Sequence, residues 1–137
     1  MTQLTKSWPV RVYYEDTDHA GMVYYANYLK FMERARSEFL RSAGLELDHI
    51  HTDFGVMFAV TEANIRYHTP ALFNDLLIIE SSIVTLRGAR IIFKQHIFRQ
   101  DSHKLLTAAE IHLACINQKS KVSRIPAPVY AVLKKHL

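Results

Sequence analysis

Cysteine, glycine and proline are all scarce in this sequence of 137 residues, which has one, four and four of them respectively. The single cysteine, Cys115, excludes an intramolecular disulfide and gives no sign of an oxidising compartment. Because it lies in an alternating apolar segment, we expect Cys115 to be a small core residue. The few glycines and prolines fall between apolar segments, so we expect a single domain over residues 1–137.

Long apolar runs and blocks of like charge are also missing. No run approaches the roughly 18 residues of a membrane-spanning helix, and residues 1–9 lack the apolar stretch of a signal peptide. We therefore expect a cytoplasmic protein. The formal net charge of +4 comes from dispersed residues, with Lys134 and Lys135 the only adjacent basic pair. Dispersal argues against a nucleic-acid-binding arm and leaves an anionic membrane or a small anionic substrate.

What the sequence does contain is clear hydrophobic periodicity, beginning with a predicted helix over residues 27–43. Five apolar residues recur there at helical spacing, namely Tyr28, Met32, Ala35, Phe39 and Ala43. Charged residues occupy the remaining surface, Arg36 among them, and we expect that surface to face solvent. Asn27 is a suitable N-cap and Gly44 a suitable stop for this helix.

Strand patterns occupy most of the rest of the chain. Alternating β-branched and aromatic residues predict strands over 9–14, 56–67, 76–86, 90–99 and 105–117, and a short helix is expected from Pro128. The short links at 87–89 and 101–104 predict antiparallel hairpins. The result is an α+β fold in which one antiparallel sheet wraps around one long helix. One helix covers one face of the sheet, so we expect a homo-oligomer built on a two-fold dimer to cover the other.

The chemistry is concentrated in the segment 13–27, which joins the first strand to the helix. It contains Glu15, Asp16, Asp18, His19 and a glycine just before a helix N-terminus. A carboxylate here can act as a nucleophile or as a general base, while free backbone N–H groups stabilise an oxyanion. A solvated turn is an equally simple interpretation. The spacing matches neither an EF-hand nor a zincin, and no serine stands in a G-x-S-x-G motif, so we predict neither a metal nor a serine nucleophile.

Several of these motifs together carry a family resemblance. They are Val10-Arg11-Val12-Tyr13-Tyr14-Glu15-Asp16-Thr17-Asp18, then Gly21, Val23-Tyr24-Tyr25, Asn27-Tyr28 and Glu33-Arg34-Ala35-Arg36. The sequence closely resembles the YbgC-like acyl-CoA thioesterases associated with the Tol-Pal system, which belong to the 4-hydroxybenzoyl-CoA thioesterase group of hot-dog proteins. The resemblance covers nearly the whole chain. It implies a hot-dog fold, assembly into dimers or homotetramers, and hydrolysis of acyl-CoA without a metal or cofactor.

The resemblance also assigns roles to individual residues. Asp18 matches the catalytic aspartate, and Tyr25 matches the position whose backbone N–H polarises the thioester carbonyl. His19 and Gly21 are expected to border the substrate. Arg87 and Arg90, which flank a predicted hairpin turn, are candidates for contacts with the CoA phosphates.

Other functions stay open from the sequence alone. Asp18 beside His19 also suits a hot-dog hydratase acting on enoyl thioesters. A non-catalytic module that docks on acyl carrier protein or a cell-envelope complex, peripheral at the inner membrane, is a third possibility. Bulky side chains near the predicted site favour short acyl chains, and these are Met22, Tyr24, Phe31 and Phe58.

Overall fold

The computed structural model describes residues 4–137 and has the predicted α+β architecture. Its strands are β1 (Lys6–Arg11), β2 (Val56–Tyr67), β3 (Leu76–Arg87), β4 (Arg90–Arg99) and β5 (Leu105–Asn117). Its helices are α1 (Tyr28–Ser42), α2 (Leu47–Phe54) and α3 (Ala127–Lys134). Within the described range, no helix is both long and apolar enough to cross a membrane.

The five strands form one antiparallel sheet in the order β1-β3-β4-β5-β2. The predicted hairpins are confirmed, since β3 and β4 are joined by two residues and pair with each other, as do β4 and β5. Although β2 and β3 are consecutive in sequence, β2 pairs with β5. Residues 68–75 therefore pass from one edge strand to the opposite half of the sheet, and this segment meets the loop that precedes α1.

Helix α1 packs its apolar side against the inner face of the sheet. Four of the five residues of the predicted stripe are buried, namely Tyr28, Met32, Ala35 and Phe39. The fifth, Ala43, is half-buried and follows the last residue of α1. Phe39 meets Phe93 of β4 edge to face, with ring centroids 5.4 Å apart. Burial of large apolar side chains on this scale is the main source of stability of the fold.

The bounds of the first strand and the side-chain role of Asn27 differ from prediction, and one helix was missed. The first strand is β1, Lys6–Arg11, and ends before Tyr14, because residues 14–16 turn into a 3₁₀ helix. Asn27 has helical backbone angles and makes no side-chain cap, since its amide is bonded to Asp16 instead. Helix α2 was not predicted, and only Ile50 of its eight residues is buried.

The outer face of the sheet also differs from expectation. It was predicted to be apolar enough to need a covering layer, yet charged and polar side chains occupy its centre. They form cross-strand rows, one of Glu80, His96, Ala108 and Arg66, the next of Ser82, Lys94, Glu110 and Asn64. This face can therefore meet solvent, and the argument for an oligomer from an uncovered apolar face fails.

A polar network lies under α1, where the helix was expected to be solvated. Arg36 is only 8% exposed and donates to Gln95 Oε1 at 3.0 Å. Gln95, which is fully buried, donates from Nε2 to the Met32 carbonyl and to Ser81 Oγ, both at 2.9 Å. Burial lowers the pKa of Arg36. The network ties the helix backbone to β3 and β4, at the expense of a desolvated guanidinium.

Replacing Gln95 by leucine should therefore destabilise the protein, because it removes the hydrogen-bond acceptor of a buried cation. We expect the free energy of unfolding to fall by about 2–3 kcal/mol. Adding Arg36→Met removes the stranded charge, so the double variant should be more stable than the sum of the two single effects by about 1 kcal/mol or more.

Urea denaturation at a fixed protein concentration measures these changes. Gln100→Leu, an exposed glutamine in the turn after β4, is the matched control and should change stability by less than about 0.5 kcal/mol. Strict additivity of Arg36→Met and Gln95→Leu would contradict the network.

Candidate active site

The loop before α1 folds back on itself and places Asp18 at its tip. Thr17 and Val23 form an isolated antiparallel bridge, and the Asp18 N–H donates to the Met22 carbonyl at 2.8 Å. Gly21 closes the turn with a φ of 76°, which a glycine adopts without strain. The Asp18 carboxylate is exposed. Its Oδ1 accepts the Ala20 N–H at 2.9 Å, and Oδ2 has no hydrogen-bond partner among residues 4–137.

The segment between β2 and β3, residues 68–75, is hydrogen-bonded to this loop. The Val23 N–H donates to the Ala71 carbonyl at 2.9 Å, and the Phe73 N–H donates to the Gly21 carbonyl at 3.0 Å. An ion pair between Arg99 Nε and Asp75 Oδ2, 3.0 Å apart, anchors the segment between β2 and β3 to β4. The loop around Asp18 is thus set by hydrogen bonds from a part of the chain some 50 residues away in sequence, as the Val23 and Ala71 numbering shows.

A buried clamp fixes the loop to the start of α1. Asp16 and Asn27 are each 7% exposed. Asn27 Nδ2 donates to Asp16 Oδ1 at 2.7 Å, the Tyr13 N–H donates to Oδ2 at 2.8 Å, and the Tyr24 N–H donates to the Asp16 carbonyl at 2.9 Å. Both carboxylate oxygens of Asp16 are therefore satisfied by the protein. Of the acids in this loop, Asp16 has a positioning role and Asp18 remains available for chemistry.

Tyr25 begins a 3₁₀ turn that leads into α1. Its N–H has no hydrogen-bond acceptor within the described residues, whereas its carbonyl accepts the Tyr67 hydroxyl at 2.9 Å. Burial raises the pKa of Tyr67, which keeps that hydroxyl protonated and able to donate at neutral pH. The site therefore offers a free backbone donor whose peptide is held in place by a side chain from β2.

Tyr28 closes the inner side of the site. Its hydroxyl accepts the Ala71 N–H at 3.0 Å, and its ring lies 5.4 Å from that of Tyr67, centroid to centroid. Burial raises the pKa of Tyr28, and the negative charges of Asp75 and Asp18 raise it further. The Ala71 hydrogen bond and the charge of Arg99 act in the opposite direction and lower the pKa of Tyr28.

The cleft at Tyr25 has a volume of about 290 Å³. It is lined by Met22, Val23, Tyr25, Tyr28, Tyr67, His68, Thr69 and Pro70. Of the bulky residues expected to narrow a pocket, Met22 lines this cleft, whereas Phe31 is in the core and Tyr24 is exposed. Sequence reasoning missed Tyr67, His68 and Pro70, since no local pattern connects the end of β2 with the loop of Asp18.

Not every predicted site residue lies near Asp18. His19 is exposed at the tip of the loop, and Gly21 is in the turn. Arg87 and Arg90 are at the opposite end of β3 and β4. The loop contacts residues just before Leu76, and the eleven residues from there to Arg87 span about 36 Å of strand. Within one protomer these arginines and Asp18 are therefore far apart.

Two other candidate chemistries do not involve this loop. Cys115 is fully buried, as predicted, and burial raises the pKa of its thiol, which favours the unreactive form. In the described part of the chain, the group of side chains spaced to hold a metal is Glu46, Asp48 and His49, at the start of α2 and largely exposed. Neither set is part of the cleft at Tyr25.

The clamp predicts how substitutions of Asp16 and Asn27 change the stability of the protein. Asp16→Asn should lower the free energy of unfolding by about 1–3 kcal/mol, because two amide groups then compete for one acceptor. It should also speed hydrogen exchange of the Tyr24 N–H, which is bonded to the Asp16 carbonyl.

The double variant Asp16→Asn/Asn27→Asp restores a donor facing an acceptor and leaves an oxygen for the Tyr13 N–H, so it should recover at least about half of the lost stability. Two-dimensional NMR with amide exchange, together with urea denaturation, measures both effects. A double variant no better than Asn27→Asp alone would refute the clamp.

Comparison with known proteins identifies the family. Residues 12–133 match the family model described as "Thioesterase-like superfamily". The acyl-CoA thioester hydrolase YbgC of Escherichia coli O6:H1 is 38% identical over 129 residues, which cover 93% of this chain and 95% of that protein. The acyl-CoA thioesterase YbgC of Haemophilus influenzae is 39% identical over 126 residues, or 91% of each chain.

A solved structure agrees with the sequence comparisons. The crystal structure of a probable thioesterase from Bartonella henselae matches with a TM-score of 0.84 and 36% identity, covering 89% of this chain and 99% of that one. The loop of Asp18 and the cleft at Tyr25 both lie inside the matched region, residues 12–133. This chain belongs to the thioesterase-like superfamily and has its hot-dog fold.

Proposed function

We propose that this protein hydrolyses acyl-CoA thioesters to the free acid and CoA, with Asp18 as the catalytic residue. One observation carries the assignment of the site. Asp18, an exposed carboxylate with a free oxygen, is hydrogen-bonded through its N–H to Met22, which lines the cleft where the N–H of Tyr25 is unpaired. Relatives with 38% and 39% identity, both called acyl-CoA thioester hydrolases or thioesterases, support hydrolysis over the enoyl hydratase alternative.

The geometry supports different roles for the Tyr25 N–H and the Asp18 carboxylate. The Tyr25 N–H donates to the thioester carbonyl oxygen and stabilises the negative charge that develops there. Asp18 then acts in one of two ways. Its carboxylate attacks the carbonyl carbon, expelling CoA thiolate and forming an anhydride that water cleaves. Alternatively it takes a proton from a water molecule, which attacks the same carbon and expels the thiolate.

A single turnover in oxygen-18 water tests the anhydride route. Asp18 becomes labelled only if its carboxylate has joined the acyl group and water has then attacked the Asp18 carbonyl carbon. Mass spectrometry of the peptide that contains Asp18 measures the label directly. Label confined to the released acid is the outcome of direct attack by water or of attack by water on the acyl carbon of the anhydride.

The cleft suits a short acyl group. Its volume of about 290 Å³ is at the lower end for ligand pockets, and aromatic rings of Tyr25, Tyr28 and Tyr67 line it. His19 and Gly21 border the reacting group at the tip of the loop. The protein needs no cofactor for this chemistry, since both routes use only a carboxylate, a backbone donor and water.

A homo-oligomer is part of the proposal, and the edge strand β2 supports it. β2 is twelve residues long, lacks proline and exposes apolar side chains, with Val60 52% and Met57 46% exposed. Such an edge pairs readily with another chain. The opposite edge, β1, is half as long and contains Pro9. We therefore place the two-fold axis of a dimer at β2, with a dimer of dimers as the larger assembly.

Pairing through β2 would place Arg87 and Arg90 near the site of the partner protomer. Antiparallel pairing of two copies brings the far end of one sheet beside the near end of the other. The arginines of one protomer then approach the Asp18 loop of its partner, where they suit the CoA phosphates. Residues 87–90 and 111–137 together contain seven Lys and Arg and no Asp or Glu, which suits this anionic substrate.

The same basic surface suits an acidic protein. We include acyl carrier protein, or lipid-synthesis proteins at a cell-envelope complex, as partners that this charge favours. The corresponding location is the cytoplasm, peripheral at the inner membrane.

Asp18→Asn tests the catalytic assignment. The variant should fold normally, because the Asp18 side chain makes one exposed hydrogen bond, and should lose at least about a hundredfold in turnover. Release of thiol from butyryl-CoA, followed with a thiol-reactive dye, measures the rate. Glu15→Gln, a second exposed carboxylate of the same segment, is the matched control and should retain activity. Near-normal turnover of Asp18→Asn would contradict the assignment of Asp18. A wild-type protein that releases no thiol would favour the enoyl hydratase or the docking module.

Val60→Lys tests the interface. A charge on the exposed side of β2 should prevent edge pairing, so the protein should elute at half the mass of its parent in light-scattering chromatography. Ser7→Lys on β1 is the control at the other edge and should leave the mass unchanged. An unchanged mass for Val60→Lys would exclude β2 as the pairing edge.

A further inference from the structure

The outer face of the sheet carries a groove that the thioesterase site does not use. Its volume is about 560 Å³, and its lining includes Arg66, Lys94, His96 and Ala108. His96, Ala108 and Arg66 occupy one cross-strand row, and Lys94 is two residues from His96 on the same face. Because Ala108 is small, it leaves space between the imidazole on β4 and the guanidinium on β2.

The basic groups of this groove form no ion pair within the described part of the chain. Among residues 4–137, no carboxylate oxygen lies within 4.0 Å of a charged nitrogen of Arg66, Lys94 or His96. Glu110, which also lines the groove directly opposite Lys94, accepts a hydrogen bond from His112 at 2.8 Å. Glu62 is 3.8 Å from His112 and is bonded to Asn64. Both acids therefore bond to other groups, and their charges remain beside the groove.

Burial and the surrounding charged groups both affect the pKa of His96. Burial lowers the pKa of His96, and the charges of Lys94 and His68 lower it further, whereas Glu80 on β3 opposes them. A bound anion would relieve the repulsion between Lys94 and a protonated His96.

We propose that the groove formed by Arg66, Lys94 and His96 on the outer face of the sheet is a binding site for a phosphate dianion. It is separate from the cleft at Tyr25, because the two lie on opposite faces of the sheet. Arg66 and Lys94 supply two positive charges, which match a phosphate dianion better than a carboxylate, and a guanidinium binds two phosphate oxygens at once. His96 supplies a ring nitrogen that can donate a hydrogen bond to the anion.

The groove is larger than a phosphate, so the anion can carry an organic group. Two sources share this chemistry. One is free phosphate, and the other is a phosphate of CoA. The second source rests on the proposed function, and the first does not.

Titration of His96 by NMR tests the proposal in the intact protein. Inorganic phosphate and CoA are added separately, with chloride at equal ionic strength as the reference. We expect phosphate, CoA or both to raise the pKa of His96, with an apparent Kd of about 1 mM or lower. The ligand that acts identifies the source. In Arg66→Gln/Lys94→Gln the affinity should fall at least about tenfold.

Two controls make the result specific. Lys30→Gln, an exposed lysine of α1, should bind as the parent does. Circular dichroism of Arg66→Gln/Lys94→Gln shows that its fold is intact. The proposal is overturned if neither ligand raises the pKa of His96 beyond the chloride reference, or if the rise is unchanged in the double variant. Loss of thioesterase activity in Asp18→Asn has no bearing on the phosphate arm, so the two proposals fail separately.

Discussion

The hydrogen bond between Asn27 and Asp16 is the constraint on which the site depends. It joins the last residue before α1 to a loop that would otherwise be an exposed, acidic turn. Helix α1 is itself fixed by its buried apolar side and by the hydrogen bond from Gln95. Because the clamp bonds the loop to the start of this helix, it fixes the position of the loop as well. Asp18, two residues beyond Asp16, is left exposed but in a defined place. A buried positioning acid beside an exposed one gives a surface loop the fixed geometry that the proposed chemistry of Asp18 needs.

The topology of the sheet explains why the site needs distant parts of the chain. The connection from β2 to β3 has to cross from one edge to the other half of the sheet, and it passes the loop of Asp18 on the way. The same crossing places Tyr67 where its hydroxyl meets the Tyr25 carbonyl. It also leaves β2 as a long open edge. The cleft at Tyr25 and the open edge of β2 are therefore two consequences of one chain path.

Much of the fold follows from sequence because its periodicities are strong. The bounds of β2, β4 and β5 agree with the alternating pattern, and the buried side of α1 agrees with the helical one. Prediction failed where a polar side chain has an unusual partner. Asn27 looks like a helix cap and Arg36 looks solvated, but each bonds to a residue that sequence distance conceals. Helix α2 escaped because it buries only Ile50 and so has little apolar signal.

The candidate site shows the same division. Asp18 and Tyr25 were predicted because a family motif contains them within one short segment. The motif has no information about Tyr67, His68 or Pro70, which reach the cleft only through the fold. The charged outer face was likewise mispredicted, because alternation in each strand was assessed without its cross-strand neighbours. Once the register is known, Glu80, His96 and Lys94 fall together in the middle of that face.

The central claim is that Asp18 and the Tyr25 N–H act on the same thioester. A crystal structure of Asp18→Asn with butyryl-CoA bound tests it most directly. The account predicts the thioester carbonyl oxygen about 3 Å from the Tyr25 nitrogen, with the residue 18 side chain beside the carbonyl carbon. A thioester bound elsewhere, or a carbonyl oxygen held by another donor while Tyr25 N–H stays free, would contradict it.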